Sequence, residues 1–160
     1  MGELTYGAVA RGVSREKFFE WYTDFSPEDV DIIKRRSDGS LLSRKVTRDG
    51  NKLHIESEMR GIRGKPMRII DDAVVHPDDY TYDIHISVPG MLEADRHYTF
   101  TQVPEGARIS FQDQYRATGG TTKLFNALGL LNRFWAKGSR DQLHAFVAEA
   151  EEQLGRKDST

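Results

Sequence analysis

The sequence predicts an α+β fold with a curved seven-stranded antiparallel sheet, two short helices and one long C-terminal helix. Three observations carry that expectation. From Leu41 to Ala117 apolar and polar residues alternate between turn signals, the pattern of an antiparallel meander with short loops. The proline-free stretch from Thr121 to Leu154 places Leu124, Leu128, Leu131 and Trp135 in one helical stripe, and Leu143, Phe146, Ala150 and Leu154 continue it. A helix of that length is a rod of roughly 50 Å. No other segment can pair with it as a second long helix, so it must lie against the sheet.

Taken in order, Glu3 to Val13 reads as the first strand, with Leu4, Tyr6, Ala8 and Ala10 on one face. Ser14 caps a short helix through Phe18, Phe19, Trp21 and Tyr22, whose crowded aromatic residues suit packing against a sheet end. Ser26-Pro27-Glu28-Asp29 is a helix-start signal, predicting a second short helix over Pro27 to Ile33. Ser37-Asp38-Gly39-Ser40 breaks it. The strands then run over Leu41–Arg48, Lys52–Arg60, Lys65–Val75, Tyr80–Val88, Met91–Val103 and Ala107–Ala117. Asp49-Gly50-Asn51 and Gly61-Ile62-Arg63-Gly64 read as hairpin turns. Thr118-Gly119-Gly120-Thr121 is the hinge into the long helix, within which Gly129 and Gly138 are unexpected. They allow close approach to the sheet, leave space for a cavity, or permit a bend.

Composition bounds the function. The 160 residues suit a single domain over 1–154, followed by a flexible tail at 155–160. A net charge of −2 argues against a general nucleic-acid binder, and the short basic clusters at Lys34-Arg35-Arg36 and around Arg60, Arg63 and Lys65 read as solvated surface. Cysteine is absent, which excludes disulfides, thiolate catalysis and cysteine-ligated metals. There is no long apolar run at the N-terminus, so neither a signal peptide nor a membrane span is expected, and the location expected is cytoplasmic. His54, His76, His85, His97 and His144 show no metal-ligand spacing, Asp71-Asp72 and Asp78-Asp79 lack calcium-loop spacing, and no G-x-S-x-G or phosphate loop occurs. No metal or cofactor is expected.

The element order, the opening Ser14-Arg15-Glu16-Lys17-Phe18-Phe19 of the first helix, and Gly119-Gly120 ahead of the last one resemble the helix-grip superfamily. That group takes in START lipid-transfer domains, Bet v 1-like proteins and polyketide cyclases. The resemblance covers Glu3 to Leu154 and is architectural. It implies a hydrophobic-ligand cavity between the sheet and the long helix. Fold alone does not choose among carriers, cyclases and interaction modules.

Alternation names the inward side chains. Tyr82, Ile84 and Ile86 share a face, as do Ala94, Arg96 and Tyr98, and as do Phe111, Asp113 and Tyr115. His54, His85 and His97 then point outward, and Asp71 is the polar exception on its strand. Arg96 and Asp113 stand out, because a charge in an apolar series must be paired or wet. One reading is a structural salt bridge between them. The other is that the planar fork of Arg96 receives a ligand oxygen, with Tyr98 and Tyr115 as further hydrogen-bonding groups. The candidate binding residues are therefore Arg96, Asp113, Tyr98, Tyr115, Tyr82, Ile84, Phe111, Leu128, Leu131 and Trp135. The expected function is binding of a small hydrophobic or amphipathic molecule, lipid- or polyketide-like. The alternatives are a polyketide-cyclase-like enzyme, with Arg96 stabilising an enolate, and a protein-interaction module with a filled core. Neither nucleic-acid binding nor stable membrane insertion is expected.

Overall fold

The computed structural model describes residues 1–36, 41–61 and 64–155. The elements are β1 (Gly2–Arg11), α1 (Arg15–Tyr22), α2 (Glu28–Arg36), β2 (Leu41–Asp49), β3 (Lys52–Arg60), β4 (Pro66–His76), β5 (Thr81–Val88), β6 (Leu92–Val103), β7 (Gly106–Ala117), α3 (Gly120–Ala127) and α4 (Leu130–Gly155). The strands form one antiparallel sheet in the order β1-β7-β6-β5-β4-β3-β2, so the first strand closes on the last and the meander runs outward from there. Strand boundaries fall within one residue of the alternation for β2 to β7. The Ser37–Ser40 break and the Ile62-Arg63 turn lie outside the described residues.

Caps set the two short helices. The Ser14 side-chain oxygen accepts the Lys17 amide at 3.3 Å, and that of Ser26 accepts the Glu28 amide at 3.1 Å. α2 runs three residues past the expected end at Ile33. Its last turn is Lys34-Arg35-Arg36, which complements the helix dipole, and Arg35 and Arg36 reach Glu149 on α4 at 3.0 and 2.6 Å.

The expected single helix over Thr121 to Leu154 is two helices. Gly129 adopts φ +70°, a left-handed conformation that side chains resist, and its amide bonds back to Asn126 in a terminating turn. Of the readings open for the two glycines, the break belongs to Gly129. Gly138 sits inside α4 with open space beside its Cα, and nothing in the structure requires glycine there. At Gly119 a side chain would lie 1.9 Å from the Gly90 carbonyl oxygen, so the hinge packs backbone to backbone against the β5–β6 turn. Gly155, expected in the tail, closes α4, and residues 156–160 lie outside the described part.

The core is built on the concave face. Phe18 and Phe19 of α1 meet Phe100 of β6 edge-on at 5.5 and 5.2 Å, and Tyr82 and Tyr98 stack at 4.3 Å. Tyr22, Phe25 and Phe111 complete this aromatic block, which fills the α1 end of the sheet. Ile32, Ile33, Leu41 and Phe146 seal α2 to α4 in a second cluster.

Candidate functional site

Register brings the charged pair together. Arg96 on β6 lies opposite Asp113 on β7 and opposite Ile84 on β5, all on the inward face of the sheet. One terminal nitrogen of Arg96 donates to Asp113 at 2.6 Å and to the Ser139 hydroxyl at 2.7 Å. The other donates to the Tyr98 hydroxyl at 3.1 Å, and the guanidinium carbon stands 4.3 Å from the centre of the Phe111 ring. The Trp135 indole N–H donates to the same Asp113 oxygen at 2.6 Å. The side chain of Arg96 is 5% exposed and that of Asp113 is 0% exposed.

Burial opposes the charge on Arg96, but Tyr98 and Asp113 outweigh it and hold the guanidinium above its ordinary pKa. The Tyr22 and Tyr82 phenols stand well above their ordinary range through burial and their crowding with Tyr98. The Tyr115 phenol is raised by burial and by Asp113, and its hydroxyl donates to Asn132 at 2.6 Å. Among the described residues, three buried polar side-chain atoms have no hydrogen-bond partner: Arg96 Nε, Asp113 Oδ1 and Asp71 Oδ1. Such atoms are uncommon in a folded interior and mark where a polar group can be received.

The candidates separate into groups. Arg96, Asp113, Tyr98, Phe111 and Trp135 form one contiguous network, Tyr82 stacks on its edge, and Tyr115 lies 6.3 Å from Trp135 ring to ring. Leu131 is buried beneath α4, while Ile84 is half-buried. Leu128 is a correction. The break at Gly129 turns it outward, leaving it 65% exposed, and Leu124 of the same expected stripe is 63% exposed. Ser139, Asn132 and Tyr22 belong to the site and were missed. Ser139 follows Trp135 by four residues, the spacing that shares a helix face, so its signal was present.

His54, His85 and His97 occupy the outer face, hydrogen-bonded to Asp72, Asp95 and Asp83. Among the described residues no three or more His, Asp or Glu side chains are grouped to hold a metal.

The coverage of the concave face is uneven. α4 packs chiefly against β1, with α2 along its side. Met67, Ile69, Asp71 and Ile84 face inward on β4 and β5 yet remain only partly buried. Two depressions of about 460 and 470 Å³ open elsewhere, one along the outer side of α4 at Arg133, Lys137 and Arg140, the other over β1 and β7 at Thr5, Gly7 and Arg108. Neither is the cavity expected between sheet and helix.

No protein-family model matches the chain, and no curated protein sequence does. Its fold is shared by solved structures. It is similar to TTHA0849 from Thermus thermophilus, with a TM-score of 0.74 at 14% identity over 92% of this chain and 95% of that one. The Zhui aromatase/cyclase from a Streptomyces species gives a TM-score of 0.73 at 11% identity, covering 96% and 95%. Ara h 8.0201 gives 0.67 at 13% identity, covering 95% and 100%. The chain therefore has the helix-grip fold, as the element order implied. Identities this low establish the architecture alone.

Proposed function

We propose that the protein binds a small hydrophobic or amphipathic molecule against the β4–β5 half of the concave face. The observation that carries this reading is that Met67, Ile69 and Ile84, neighbours on the inward face of β4 and β5, border the core yet stay partly exposed beside Asp71, whose Oδ1 has no partner. Apolar side chains on an inward, incompletely covered surface gain by desolvating a ligand, at about 25 cal/mol for each Å² removed from water. The polar end of the ligand turns toward Asp71 and the Arg96–Asp113 pair.

The pairing also bears on the chemistry. Asp113 already compensates the charge of Arg96, which weakens the alternative in which Arg96 waits for an enolate. One donor and two carboxylate oxygens without partners suit a neutral hydroxyl or phenol better than an anion.

Native mass spectrometry of the purified chain tests the proposal. A discrete added mass, extractable into organic solvent and absent from Ile84→Trp, is the expected result. A clean apo mass for both proteins under gentle conditions argues against a tightly held ligand.

A further inference from the structure

Apart from Met1 and Leu42, the large apolar side chains that the described residues leave exposed all lie between Leu124 and Phe134. Leu124, Phe125, Leu128, Leu130 and Phe134 are 63%, 42%, 65%, 43% and 65% exposed. They cluster on α3 and the first turns of α4, at the break created by Gly129. α3 buries little beyond Thr122. A concentrated apolar patch of this kind marks a surface that meets something else.

The charges around the patch identify what. From Thr118 to Arg140 the sequence contains Lys123, Arg133, Lys137 and Arg140 and no acidic residue, in a chain whose net charge is −2. All four are exposed, and Lys137 pairs with Asp141 at 2.6 Å. On α4, Arg133 and Lys137 share the outward arc with Leu130 and Phe134, whereas Leu131, Ser139 and Leu143 face the core. Of the four acids that balance these cations in sequence, Asp141 pairs with Lys137, and Glu149, Glu151 and Glu152 lie at the far end of α4. There they are engaged by Arg35, Arg36 and the Arg11 amide.

We infer that α3 and the start of α4 form a peripheral docking surface for anionic lipid bilayers, with the leucines and phenylalanines entering the interface and the basic residues facing the headgroups. The contact is interfacial. Among the described residues no helix is long and apolar enough to cross a membrane. The inference stands independently of any ligand on the sheet.

Co-sedimentation with vesicles tests it, comparing pure phosphatidylcholine with a mixture containing about one-third phosphatidylserine. The expected result is binding to the anionic vesicles alone, weakened by salt. Arg133→Gln and Lys137→Gln each weaken it about fivefold. Leu128→Ser with Phe134→Ser abolishes it without altering the circular dichroism spectrum, since both residues are exposed. Absence of binding, equal binding to both vesicle types, or full binding by the doubly substituted protein overturns the inference. So does a dimer dispersed by the same two substitutions, which assigns the patch to a second copy of the chain.

Discussion

Asp113→Ala is expected to destabilise the protein by about 3–5 kcal/mol, the cost of leaving one member of a buried ion pair uncompensated. Arg96 would remain almost fully buried with no counter-charge, and the Trp135 indole N–H would lose its acceptor. Replacing both partners with apolar residues, Arg96→Met with Asp113→Leu, removes both buried charges together and leaves only the neutral Trp135, Ser139 and Tyr98 groups without their partners. The double variant should recover most of the loss. Urea denaturation of the wild type, Arg96→Met, Asp113→Leu and the double variant gives the complete cycle, with Asp113→Ala measured beside it. If Asp113→Ala costs less than about 1 kcal/mol, water reaches Arg96 and the pair is not the sealed unit described here.

The second large effect concerns Asp71. Burial pushes its carboxyl up to about 6, against the opposing pull of Arg44 and Arg96. In the unfolded chain an aspartate titrates near 4, so between these values the native state holds a proton that the unfolded state has released. Stability from this group is therefore fully present below about pH 4 and lost as pH rises to about 6, above which the penalty is constant. Asp71→Asn should raise stability by up to about 3 kcal/mol at pH 8 and change little at pH 4. Some slope should persist in the variant, because burial also pushes Asp29 up to about 7 despite Arg44 at 3.3 Å. Thermal unfolding of both proteins across that pH range measures the difference. A variant no more stable than wild type at pH 8 would show that the Asp71 carboxylate is well solvated in the folded protein.

The sheet was legible because its alternation is nearly unbroken. A one-residue slip at β6 would have turned Arg96 outward, yet Arg96 and Asp113 meet as their positions in the two alternating series imply. Helix α1 was legible through its cap and its aromatic crowding. The long helix was harder. Leu124, Leu128, Leu131 and Trp135 fit a continuous stripe, and a glycine at a helix break resembles one in a helix interior until its φ is known.

The same error hid the surface patch. Over the whole of Thr121 to Leu154 four basic residues balance four acidic ones, so the helix read as neutral. The cations lie on α3 and the first half of α4, and three of the four acids lie at the far end of α4, where Arg35 and Arg36 hold Glu149. The site was legible as a set of inward side chains but not as a network. Ser139 and Asn132 join it from a helix whose rotation alternation on the strands cannot give. Nor could the pattern show how far the aromatic block fills the concave face, because filling depends on the tilt of α1 and α4 against the sheet.

The central claim, a ligand surface on the β4–β5 half of the concave face, is tested most directly by nuclear magnetic resonance. A uniformly nitrogen-15-labelled sample would be titrated with 2-naphthol, a neutral aromatic molecule with one hydroxyl. Saturable shifts are expected at Ile69, Asp71, Ile84 and the Trp135 indole N–H, with their loss in Ile84→Trp. Shifts confined to the outer depressions at Arg133–Arg140 or Thr5–Arg108, or no saturable shifts at all, would contradict it.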